Sequence, residues 1–217
     1  MALYNVDSKL SDAIMAHPSL IPVINRLGIV LGVGDKSVGI VCAQAHISSD
    51  FFLSVVNTFV DEEYFPINAR DAFSIDKTID YLRKTSTFYC NVQLPNIDRH
   101  FNSLIKRSGS DNNLQMLRKF YSGMKEQLEW CLDKEENNIF LAIDEKSEPT
   151  DIDAVVRGYG EVEEKLQDLL TFFVVHLRGQ YDRNLCMAVV SAVFSLEKDV
   201  RQNNRIRNRI LLPMLRD

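Results

Sequence analysis

From Ser74 to the C-terminus, long stretches of this chain carry apolar residues at steps of three and four with few glycines or prolines to interrupt them. That period is the one an α-helix needs to keep a single face against a core, and strands cannot use it. The fourth such stretch, Arg183 to about Leu212, places Val189, Val193, Leu196, Val200, Asn203, Ile206, Arg207 and Ile210 on one face. The second, about Leu114 to Phe140, carries Leu117, Phe120, Met124, Leu128, Cys131, Glu135 and Ile139. The first, Ser74 to about Lys106, has Ile75, Ile79, Leu82, Ser86, Cys90, Gln93, Ile97, Phe101 and Leu104 in phase, and Pro95 should kink or break it locally. The third, about Ile152 to Leu177, has Ile152, Val155, Tyr159, Val162, Leu166, Leu169 and Phe173, with Gly179 suited to cap its end. Four amphipathic helices joined by short loops at Ser108–Asn113 and Asp144–Asp151 imply an antiparallel bundle.

Ahead of it, residues 1 to about 70 read as short helices: Lys9–Met15, Leu20–Leu27, Ser37–Ala45 and Asp50–Val60. Turn signals at His17-Pro18, Gly28–Gly34 and Ser48-Ser49 separate them, with Ser49 as the expected N-cap of the last. Phe65-Pro66 closes this part and Ile67–Asp71 is the expected linker. The fold class is therefore all-α, a small N-terminal helical domain (1–70) followed by an antiparallel four-helix bundle (74–217). Phe51, Phe52 and Phe59 are many aromatics for a small domain to bury, so the two parts are expected to pack together.

Composition removes several function classes. A net charge of −5 argues against a general nucleic-acid binder. The Ser37–Phe59 fragment has helix-turn-helix outlines, but its second helix offers Asp50, Asp61, Glu62 and Glu63 and no base, so DNA reading is not expected. The strongest apolar run, Leu169–Leu177, is about half a membrane span, and Met1–Leu10 lacks the features of a signal peptide. Cys42, Cys90, Cys131 and Cys186 fit no zinc spacing and read as reduced thiols of a cytoplasmic protein. The segment Leu31-Gly32-Val33-Gly34-Asp35-Lys36-Ser37 has phosphate-loop residues without the loop's spacing or a preceding strand, and reads as a turn. His17, His46, His100 and His176 lack helical metal-pair spacing and read as surface or capping residues. Lys198, Arg201, Arg205 and Arg209 read as a solvated basic face near a helix C-terminus, and Arg207 alone is in inward phase. No acid, base and nucleophile share one phase, so no enzyme is expected.

Several segments resemble a known family: His17-Pro18-Ser19-Leu20-Ile21-Pro22-Val23-Ile24-Asn25-Arg26-Leu27-Gly28-Ile29, Tyr81-Leu82-Arg83 with Leu94-Pro95, Glu135-Glu136 with Ile139-Phe140, Val162-Glu163-Glu164-Lys165-Leu166, and Ile210-Leu211-Leu212-Pro213. In their order the chain resembles the hemerythrin-like, or HHE cation-binding, domain preceded by the small helical domain of the di-iron proteins that repair iron–sulfur clusters. The resemblance implies two irons held by four histidines and two glutamates, and a cysteine pair in the first domain. The aligned positions here are Ser86, Cys131, Glu135, Tyr159, Asn203 and Arg207, and the turn of the cysteine pair reads Ile29-Val30-Leu31-Gly32. Every imidazole is replaced and a permanent cation is added, which is not a divalent-iron set. The expectation is a metal-free, cofactor-free and non-catalytic protein with a vestigial site at those six positions. Its role would be regulatory or protein-binding, with an unidentified protein or a second copy as partner and neither nucleic acid nor membrane. The alternatives are a metal binder in iron or oxygen sensing or cluster repair with unusual ligands, and a small-ligand sensor using the vacated core. Since a buried charge must be paired, Glu135 and Arg207 are expected to form an ion pair in place of the metal.

Overall fold

The computed structural model describes residues 3–64, 74–108 and 112–216. Among them all regular structure is helical, and the β-type pairing is an isolated bridge between Lys9 and Ser37. The elements are α1 (Leu10–Ala16), α2 (Leu20–Arg26), α3 (Val38–Gln44), α4 (Ser49–Val60), α5 (75–108), α6 (112–144), α7 (152–176) and α8 (183–216). The expected closing pair Phe65-Pro66, the expected linker Ile67–Asp71 and residues 109–111 of the expected loop before α6 lie outside the described residues. No helix among the described residues is long and apolar enough to cross a membrane. Contacts divide the chain into two compact units, Met1–Thr85 with Arg205–Asp217, and Ser86–Asn204, so the division falls inside α5 and α8.

In the first unit, α1 to α4 pack around Leu10, Ala13, Leu20, Val23, Ile24, Phe52 and Val55, all buried. Phe51, Phe52 and Phe59 are buried too, each worth roughly 1.5–3 kcal/mol of transfer free energy. Ser37 and Ser48 cap α3 and α4 by accepting from Ile40 N and Phe51 N, so the α4 cap is Ser48, one residue before the expected Ser49. The Gly28–Gly34 stretch is a turn: Gly28 adopts φ +86°, and the Ile29 amide closes back on the Ile24 carbonyl at 2.9 Å. His46 takes the same left-handed role after α3, with φ 56° and the Ile47 amide on the Cys42 carbonyl at 2.9 Å, so it caps a helix end.

The second unit is made of stretches of α5 to α8 joined side by side. Lys125 and Arg118 of α6 reach Asp98 of α5 at 2.6 and 2.9 Å. Gln93 of α5 donates to the Ala192 carbonyl of α8 at 3.4 Å, and Arg107 meets Asp182, just ahead of α8, at 3.4 Å. Gln127 of α6 bonds Glu161 and Lys165 of α7. Asn204 of α8 donates to the Tyr159 carbonyl of α7 at 3.3 Å.

Each long helix contains a π-turn: Tyr89–Gln93, Glu135–Phe140, Phe172–His176 and Arg207–Leu211. Two of them resolve a proline problem. Proline has no N–H and its ring crowds the carbonyl four residues back. For Pro95 and Pro213 that carbonyl belongs to Asn91 and Arg209, inside π-turns whose closing amides, Leu94 and Leu212, bond five residues back to Tyr89 and Arg207. The wider turn absorbs each proline, so α5 is not broken at Pro95 and α8 continues past the expected stop at Leu212 to Arg216.

The inward faces of α7 and α8 follow the expected stripes, but α5 and α6 each depart from theirs. Phe120 is 39% exposed, and Tyr121 takes its place in the core, its hydroxyl donating to the Leu94 carbonyl at 3.4 Å. On α5 the buried residues between Leu82 and Gln93 are Thr85 and Tyr89, whereas Ser86 is half-buried and Cys90 exposed.

Candidate functional site: a buried polar cluster on α5 to α8

Among the buried polar side chains of the second unit are Tyr89 on α5, Glu135 on α6, Tyr159 on α7, and Asp199 and Asn203 on α8. Burying them without hydrogen bonds would cost several kcal/mol each, so their partners decide what the cluster is.

Glu135 opens the α6 π-turn and is 2% exposed, and Tyr159 is likewise 2% exposed. The Tyr159 hydroxyl donates to Glu135 Oε2 at 2.7 Å. A short bond to a carboxylate is of the stronger, charge-assisted kind. One turn before Glu135, Cys131 is fully buried against Gly158 of α7. A Cβ at position 158 would sit 2.6 Å from Cys131 Sγ and 3.2 Å from the Trp130 ring. Glycine at 158 thus lets α6 and α7 approach closely at the level where Tyr159 meets Glu135.

On α8, Asn203 is fully buried, and its Nδ2 donates to the Tyr89 hydroxyl at 3.0 Å, the Asp199 carbonyl at 2.8 Å and Asp199 Oδ2 at 3.1 Å. The carboxylate and the carbonyl of Asp199 both accept only, which fixes the amide with its nitrogen toward them. Asn204 Nδ2 adds a bond to Glu163 Oε2 at 3.1 Å.

The structure brings four of the six sequence-predicted positions into the core of this unit: Cys131, Glu135, Tyr159 and Asn203. Ser86 is half-buried and hydrogen-bonds the exposed Cys90 thiol. Burial and the nearby Glu129 charge raise the pKa of Cys90, against the opposing pull of that Ser86 bond. Arg207 is 3% exposed and belongs to the first unit.

Sequence reasoning missed Tyr89, Asp199 and Gly158. Asp199 could have been found, since it lies four residues before Asn203 on the same helix. Gly158 carried a signal as well, because glycine inside a helix costs up to about 1 kcal/mol and asks for a packing reason.

The resemblance would put a pair of irons among these residues, and they do not fit it. The donors are carboxylates, phenols, a thiol and an amide, with no imidazole. Among the described residues no group of three or more His, Cys, Asp and Glu side chains is placed to hold a metal ion. The chain matches no family model, and no curated protein matches it.

Proposed function

We propose that this chain is a metal-free relative of the hemerythrin-like proteins, working without catalysis as a regulatory or protein-binding module in the cytoplasm. In this reading α5 to α8 form an antiparallel four-helix bundle, and the preceding helices form a small domain like that of the cluster-repair proteins. The run of contacts from α5 to α6, α6 to α7, α7 to α8 and α8 back to α5 supports the bundle. The free cysteines among the described residues are in keeping with a reducing compartment.

One observation carries the functional reading: the Tyr159 hydroxyl, at the aligned position where the family has an imidazole, donates at 2.7 Å to the one carboxylate retained from the family's ligand set. The phenol engages one oxygen of the carboxylate, and no imidazole stands at the aligned positions to complete an iron site with the other. The polar cluster is then a structural core, and function moves to the surface, where a protein partner or a second copy binds. Competition is the test. Fresh protein incubated anaerobically with ferrous iron should show no change in melting and, on later exposure to air, no oxo-bridged absorption. A saturable rise in melting temperature that is lost in Glu135→Ala would overturn the reading.

A second reading, a small-ligand sensor using the core, is favoured by one atom. Asn203 Oδ1 is buried and accepts no hydrogen bond among the described residues. Melting of the protein against a panel of small amides and alcohols, with Asn203→Leu as control, separates the two readings.

A further inference from the structure

In the first unit, the carboxyl end of α4 is electrostatically unfavourable as it stands. Its last carbonyls form the negative pole of the helix, and the chain continues there as Asp61-Glu62-Glu63. No basic residue lies in the last turn of α4. The Asp61 carboxylate turns onto the Glu63 amide at 2.9 Å, which leaves the carbonyls to other donors.

Those donors come from the far end of the sequence. Arg205 donates to the Thr58 carbonyl at 3.1 Å, to the Asp61 carbonyl at 3.2 Å and to the Glu62 carbonyl. One turn on, Arg209 donates to the Glu62 carbonyl at 3.4 Å. The partners stand 143 to 147 positions apart in the chain. A planar guanidinium with five N–H donors can serve several carbonyls at once, and its charge opposes the helix pole and the acidic run together. The solvated basic face expected from sequence is therefore wrong at Arg205, which is half-buried and engaged.

We propose that residues 205–209 of α8 are a strap that holds the carboxyl end of α4 closed, with Arg205 as its clasp. The α4 end of the first unit is then completed by residues 205–209, and anything that lifts this part of α8 loosens the end of α4. Local control of the end of α4 from residues 205–209 is the device this geometry builds.

Hydrogen exchange on the full-length chain tests it, comparing amides of residues 57–64 with those of 120–130 in the second unit. Arg205→Ala should speed exchange in 57–64 about tenfold or more, the scale of a lost charge-assisted bond, and leave 120–130 unchanged. Arg205→Lys keeps the charge but loses the fork and should fall between, as should Arg209→Ala. In Arg205→Lys, neutralising the run with Glu62→Gln should return part of the protection. Equal acceleration in both regions, or no change in 57–64 for Arg205→Lys and Arg209→Ala, overturns the proposal. If Arg205→Ala fails to fold, the two milder variants still give one of these results.

Discussion

Replacing Tyr159 by Phe removes one oxygen from the core and leaves the shape of the side chain almost unchanged. The oxygen is the donor to Glu135 at 2.7 Å, and both residues are 2% exposed, so water replaces it poorly. A hydrogen bond to a charged group contributes roughly 1.5–3 kcal/mol, and that is the expected loss. For a chain of this size each kcal/mol moves the melting temperature by roughly 2–4 °C, so Tyr159→Phe should melt about 3–12 °C lower. Glu135→Leu alone leaves a buried phenol short of its acceptor and should also destabilise. The double variant removes both polar partners and should lose less than the sum, with a coupling of about 1–3 kcal/mol. Denaturant unfolding followed through Trp130, the chain's one tryptophan, reads this directly, because its ring packs beside Gly158, next to Tyr159. A loss under about 0.5 kcal/mol for Tyr159→Phe, or strictly additive single losses, would refute the reasoning.

Gly158→Ala should cost about 1–3 kcal/mol in the same unfolding assay, since its methyl group would sit 2.6 Å from Cys131 Sγ, and Cys131→Ala in that background should restore part of it. Asp182 accepts from the Leu185 amide at 3.0 Å at the start of α8, and that bond, with Arg107 nearby, holds its pKa below the ordinary 3.8. A depressed carboxylate stabilises the fold above the ordinary value and loses that contribution as pH falls toward the folded one; Asp182→Ala should flatten the stability–pH curve below about pH 4 and leave it parallel above. With a thiol reagent at neutral pH, Cys90 should react before Cys42 and Cys186, because it is exposed while burial holds all three thiols above their usual pKa, Cys42 at about 11. Mass mapping of the labelled peptides checks the order.

The helical class and the positions of the long helices were legible because their apolar period is sustained over many turns. The inward phase was legible only where a single series fits. Between Leu82 and Gln93 two series with steps of three and four connect the same ends, through Ser86 and Cys90 or through Thr85 and Tyr89. Sequence favoured the small residues and the structure buries Tyr89, whose hydroxyl finds Asn203. The same kind of choice, Phe120 or Tyr121, went wrong on α6, because a tyrosine reads as less apolar until its hydroxyl has a partner such as the Leu94 carbonyl. Glu135, Tyr159 and Asn203 were recognisable as polar residues on apolar stripes. Their partners were not, since which side chain meets which depends on how closely two helices approach, and at Cys131 that is set by a glycine on another helix. The π-turns were invisible for a related reason: a proline predicts stress in a helix and does not say whether the helix breaks or widens. The clasp of Arg205 joins residues that no local pattern relates.

The central claim is that Glu135 is held by the Tyr159 hydroxyl and that the residues at the aligned positions make no iron site. Element analysis of freshly and anaerobically purified full-length protein, read with an ultraviolet–visible absorption scan, tests it most directly. The account predicts iron far below one atom per chain and, after exposure of the sample to air, no oxo-bridged bands, both unchanged in Tyr159→Phe. A stoichiometric pair of irons per chain, lost on replacing Glu135 or Cys131, would contradict it.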